Sequence, residues 1–155
     1  MSADRINAKD LLTEVRRYLR LELPPALAAL SLPALETTAI FVGPPTLLPD
    51  EAASWPRCCI MGHFTARQLG TTIEPLFHLI ATVAFKWTGN EDGFMDGMEM
   101  ASVMENLFRG YSDNPPYWED VVVSGLAIRP VYSTDDGWQG GETQITLACP
   151  TRRYS

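Results

Sequence analysis

The sequence predicts an α+β fold: a mostly antiparallel sheet with helices packed on one face, a projecting hairpin and long loops. Three observations carry that expectation. From Leu76 to Trp87 the residues alternate, with Phe77, Leu79, Ala81, Val83, Phe85 and Trp87 on one side and the mixed set His78, Ile80, Thr82, Ala84 and Lys86 on the other. Strand side chains repeat with a period of two, so this is a long strand with one dry face. Beyond the turn formers of Thr88–Gly93 the period changes, and Phe94, Met98, Ala101, Met104, Leu107 and Phe108 recur at helical spacing. The full order is helix, strand, strand, long strand, helix, strand, strand, which suits a sheet with helices laid on one side.

Taken in order, Asn7 is a cap for a first helix whose apolar face is Leu11, Leu12, Val15, Tyr18 and Leu19. Asp10 and Glu14 come early and Arg16, Arg17 and Arg20 late, which suits the helix dipole. Pro24-Pro25 is expected to end this helix, because proline removes a backbone donor and clashes with the preceding turn. Ala26–Leu32 then reads as a separate helical turn closed by Pro33. Thr37–Val42 reads as a strand stopped by Gly43-Pro44-Pro45, and Thr46–Pro56 as a long loop with Trp55 near its end.

Arg57–Phe64 is a strand with Cys58, Ile60, Gly62 and Phe64 on one side and Cys59, Met61 and His63 on the other. Thr65–Thr72 is weaker strand around Gly70, so residues 57–87 form a hairpin whose arms project beyond the sheet. Pro75 falls near the start of the long strand, where a missing donor is tolerated. Gly110 is the expected stop of the second helix. Tyr111–Trp118 reads as a loop and Val121–Tyr132 as a strand with apolar residues on both faces, bulged or at an edge because of Gly125 and Pro130. Ser133–Gly141, containing Trp138, connects it to a last strand, Glu142–Cys149. Pro150–Ser155 is a short tail carrying Arg152, Arg153 and Tyr154.

At 155 residues the chain reads as a single domain, 1–155. Its net charge of −7 disfavours binding nucleic acid through phosphates, although like charge lets a nucleic acid pass through a lumen without sticking. The three cysteines, Cys58, Cys59 and Cys149, match no zinc spacing and read as buried small residues in a reducing compartment. Met1–Asp10 lacks the apolar core of a signal peptide, and no run approaches the roughly twenty apolar residues of a membrane span, so folding in cytoplasm is expected.

Catalytic groups are sparse. His63 or His78 with Cys58 or Cys59 would supply a thiol and its base, but no local signature supports the pairing. The carboxylate pairs Glu91-Asp92, Glu119-Asp120 and Asp135-Asp136 all read as solvated turns. No glycine-rich phosphate loop is present, and no cofactor or metal is expected. On the second helix Met98 and Met104 read as core, and Met95 and Met100 as a soft exposed surface suited to an adaptable contact. Trp55, Trp118 and Trp138 stand in or beside loops, where tryptophan is enriched in contact hot spots. The sheet's second face also carries apolar residues that two helices on one side leave open, which predicts cover by another copy of the chain.

Leading helix, strand before a proline-rich loop, projecting hairpin, the run Leu76–Phe108 and a closing Glu142–Arg153 hairpin with a basic tail together resemble the tail terminator (tail completion) proteins of long-tailed bacteriophages. The resemblance covers Asn7–Tyr154. It implies an α+β subunit of a hexameric ring at the head-proximal end of the tail, which stops tube polymerisation and offers a face to the neck. Implied partners are further copies of the chain, the tail tube or sheath and neck proteins, with DNA passing through the lumen without specific binding and no membrane. The implied location is the virion tail, assembled in host cytoplasm. The family has no catalytic residue to carry over, so no enzyme is expected. The long acidic loop at 43–56 departs from a minimal version of the pattern. The expected interaction surface is Trp55, Phe64, Arg67, Met95, Met100, Trp118, Trp138, Arg152, Arg153 and Tyr154. Other readings are another neck or connector component, a small enzyme using Cys58 or Cys59 with His63, and a ligand-binding module with a pocket between helix and sheet. Against the last, Phe77, Phe85, Trp87, Phe94 and Phe108 are large enough to fill that space.

Overall fold

The computed structural model describes residues 8–44, 47, 56–87, 91–112, 122–132 and 139–150. The elements are helix α1 (Ala8–Ala29), a 3₁₀ turn (Thr37–Ala39), β1 (Ile40–Val42), β2 (Arg57–Leu69), β3 (Thr72–Trp87), α2 (Glu91–Ser112), β4 (Val122–Tyr132) and β5 (Gln139–Pro150). The strands form one five-stranded sheet in the order β1-β2-β3-β5-β4. β1 runs parallel to β2 and every other pair is antiparallel, so the fold is α+β with a mostly antiparallel sheet.

Helix α1 does not stop at Pro24-Pro25; it runs through both to Ala29. Each proline costs about 3 kcal/mol in a helix interior. The apolar stripe opposes this, because Leu11, Val15, Leu19, Leu23 and Leu27 recur every fourth residue and are all buried, Leu23 just before the prolines and Leu27 beyond them. Ending the helix at the prolines would release Leu27, and a buried leucine contributes roughly 1.5–3 kcal/mol. The helix ends five residues later than expected, in a Schellman arrangement. Leu32 N–H donates to Leu27 O (3.0 Å) and Ser31 N–H to Ala28 O (3.1 Å), while Ser31 takes the left-handed conformation at φ 56. Leu27 and Leu32 are both buried at this cap.

Both helices lie on the same side of the sheet. α1 covers β1 and β2, α2 covers β4 and β5, and Tyr18 Oη donates to Leu107 O between them at 2.7 Å. The core is the α1 stripe, Met100, Met104 and Phe108 of α2, and one face of the central strands: Cys58, Ile60, Phe77, Leu79, Ala81, Val83 and Phe85. These strand residues share a face because the register pairs Cys58 with Val83, Ile60 with Ala81 and Gly62 with Leu79. Gly62 has no room for a side chain, since a Cβ there would meet Phe77 Cζ at 2.3 Å.

Several boundaries differ from expectation. Only Ile40–Val42 of the run 37–42 is strand, the residues before it coiling as the 3₁₀ turn. α2 begins at Glu91, so Glu91-Asp92 form its acidic first turn, where the dipole favours them, and not a loop. It also continues through Gly110, whose backbone stays helical, to Ser112. In β4 the expected bulge is found between Val123 and Gly125: Val123 opposes Leu147 and Gly125 opposes Thr146. Asn7, the turn 88–90, Trp55, Trp118, Trp138, Arg152, Arg153 and Tyr154, and the carboxylate pairs at 119–120 and 135–136 lie outside the described residues.

Candidate interaction surface

Strand β2 pairs with β3 over its whole length, from Arg57 opposite Ala84 to Leu69 opposite Thr72. Their neighbours are shorter. β1 pairs only with Cys58–Ile60, and β5 reaches along β3 only as far as Leu76. The β2 edge is therefore without a strand partner from Met61 onward among the described residues, and from Ala66 to Pro75 the two strands pair with each other alone and form an arm beyond the sheet, as the sequence predicts. The strand register runs further than Phe64 because Gly70-Thr71 make a two-residue turn. Gly70 has φ 60 and Thr71 has no positive φ, the pattern of a type II′ turn, whose twist matches that of the strands.

The β2 edge exposes Met61 and Phe64 (60 %), and the arm exposes Ile73 (66 %). Phe64 sits on the helix side of the sheet, its ring edge-on to Phe77 at 5.2 Å between centroids. On the opposite face the side chains of His63 and His78 stack directly, and Thr65 Oγ1 lies 2.7 Å from His78 Nε2. Burial, and then the neighbouring His63, lower the pKa of His78 below its ordinary value. Arg67 also belongs to this arm, opposite Glu74.

The rest of the outer face is closed where Phe41, Arg57, Cys59 and Ala84 are buried, and more open at His78, Ile80 and Thr82. Cys59 and His63 share this face but are four residues apart on one strand, about 13 Å at 3.3 Å per residue. That far exceeds hydrogen-bond reach, so the structure does not bring them together. Cys58 lies on the opposite face, wholly buried, where burial first and Cys59 second push its thiol upward. Among the described residues no three His, Cys, Asp or Glu side chains gather as a metal set. No described helix is long and apolar enough to cross a membrane.

A second exposed apolar patch lies on α2: Phe94 (43 %), Met95 (59 %) and Met98 (45 %). Met95 is at the surface as expected, but Met100 is fully buried and belongs to the core, while Met98 takes the surface position. The helix phase explains the exchange. Its buried line runs through Gly97, Met100, Ala101, Met104 and Phe108, and Gly97 seats against Phe85. Ala101, Met104 and Phe108 are buried as expected, and it is the first part of the expected stripe, Phe94 and Met98, that faces outward. A third feature, absent from the sequence reading, is an open groove of about 520 Å³ on α1 lined by Thr13, Glu14, Arg16, Arg17, Arg20 and Leu21. Arg17 holds Glu14 there, Nε donating to Oε2 at 2.9 Å, and this hydrogen bond lowers the Glu14 pKa. Arg20 Nε donates to Ile40 O at 2.9 Å, tying α1 to β1.

Comparison with known proteins found no family model that matches the chain and no curated protein significantly similar to it.

Proposed function

We propose that this chain is a structural subunit of a long-tailed bacteriophage: a tail terminator that assembles into a hexameric ring at the head-proximal end of the tail, stops tube polymerisation and joins the tail to the neck. The observation that supports it most is the β2–β3 arm. A two-stranded ribbon is marginal alone, and this one, from Ala66 to Pro75, exposes Ile73 and continues a β2 edge that from Met61 to Leu69 has no strand partner among the described residues and exposes Phe64. Such an arm gains stability by burial against another chain. The separation of His63 from both cysteines supports a structural role over a thiol enzyme, and the reading requires no cofactor.

The net charge of −7 suits a ring whose lumen passes DNA without gripping it. A ring of this kind would sit in the virion tail after assembly in host cytoplasm, its neighbours being the tube or sheath and the neck proteins. Electron microscopy of the purified protein mixed with tail tubes tests this. Rings with a central opening seated on one tube end are expected. Rings that ignore tube ends would instead indicate another neck or connector component, and the absence of any ring would overturn the reading.

A further inference from the structure

We infer that two copies of this chain meet through their helix layers, the acidic methionine face of α2 on one copy seating against the arginine-lined groove of α1 on the other. The inference rests on the self-assembly part of the proposed function and not on the identity of the assembly.

A chain of net charge −7 repels its own copies, so contact between them favours the region where that charge is locally reversed. Among the described helices that region is α1, which carries Lys9, Arg16, Arg17 and Arg20 against Asp10, Glu14 and Glu22. Its groove gathers three arginines and one carboxylate around Leu21, which is 60 % exposed. α2 is the converse, with Glu91, Asp92, Asp96, Glu99 and Glu105 against Arg109 alone. Of these, Glu91, Asp92 and Glu99 are exposed beside Phe94, Met95 and Met98. Each surface thus combines an apolar centre with a net charge, and the two net charges are opposite. This is the pattern that steers two surfaces together and fixes their register.

The two surfaces cannot meet within one chain, because α1 and α2 pack side by side on the same face of the sheet and both expose these residues. A neighbour can supply the match. In a pair, turning one copy over sets both contacts at once; in a ring, each copy gives α1 to one neighbour and α2 to the next. Methionine suits such a seat because its flexible thioether fills an irregular groove between arginine stems.

Charge exchange tests the contact. The pair Arg16→Glu/Arg17→Glu alters α1 alone, and Asp92→Lys/Glu99→Lys alters α2 alone. Native mass spectrometry and sedimentation of each full-length chain are expected to show association weakened roughly tenfold or more against the unaltered protein. An equimolar mixture of the two variants is expected to restore association as mixed species, because every α1–α2 contact then again joins opposite charges. Restoration also shows that both variants fold, which far-ultraviolet circular dichroism checks separately. Assembly that ignores both exchanges would overturn this contact while leaving the ring intact. Failure of the mixture to recover, with both variants folded, would overturn it equally. An unaltered chain that stays monomeric would remove the contact together with the self-assembly it rests on.

Discussion

His63 and His78 stand directly opposite each other on β2 and β3, their ring centroids 5.1 Å apart and their planes 12° from parallel. The stack lies on the outer face of the sheet at the base of the projecting arm. Two imidazoles in this position pack well only while at most one carries charge, so the arm's root is sensitive to protonation.

The His78 pKa is lowered from its ordinary 6.5, by burial first and by His63 second. The unfolded chain therefore binds more protons than the folded one between the lowered folded value and 6.5. Stability rises with pH across that window, is complete above it, and is lost as pH falls from 6.5 through the folded value. A proton NMR titration is expected to place the His78 midpoint below 6.5. His63→Asn removes the charge contribution and should move that midpoint upward but not fully back, because the burial remains. An unshifted midpoint would contradict both the burial of His78 and the approach of His63 to it.

Two glycines of α2 are expected to respond in opposite directions. A Cβ at Gly110 meets nothing within 4 Å, and the residue is helical, so Gly110→Ala should stabilise the chain by about 0.5–1 kcal/mol. At Gly97 a Cβ would stand 2.8 Å from Phe85 Cζ. Gly97→Leu overfills that contact and should cost roughly 1–3 kcal/mol. Denaturant midpoints measure both, and equal effects would mean that α2 sits differently on β3.

Cys58 and Cys59 are 0 % and 1 % exposed, and burial raises the Cys58 thiol pKa far from neutrality. Neither should react with a thiol reagent in the native chain at neutral pH, and both should label once denaturant unfolds it. Peptide mass spectrometry assigns the labelled cysteine. Rapid labelling of either before unfolding, suppressed by His63→Ala, would restore the thiol-enzyme reading.

The parts of the fold legible in the sequence are those where one periodicity ran without competition. Leu76–Trp87 alternates cleanly because that strand is central and Phe77, Leu79, Ala81, Val83 and Phe85 on its helix-facing side are all buried. The arm was legible from Gly70 and from alternation that continued past where other strands could pair. Local rules failed where packing overrode them. Pro24-Pro25 forbids a helix in isolation, yet Leu23 and Leu27 hold the chain helical through both prolines. Met98 and Met100 exchanged places because the stripe's phase depends on Gly97 against Phe85, a contact between elements that no window of α2 contains. The α1 groove left no signal beyond three arginines, which the dipole had already explained.

Sedimentation velocity of the purified chain over a wide range of concentration tests most directly whether it completes itself by joining further copies. A larger species of fixed size, growing at the expense of the 17.2 kDa monomer and then saturating, is the predicted result. A lone 17.2 kDa monomer at every concentration, with Phe64 on the β2 edge and Ile73 on the arm still open to solvent, would contradict it.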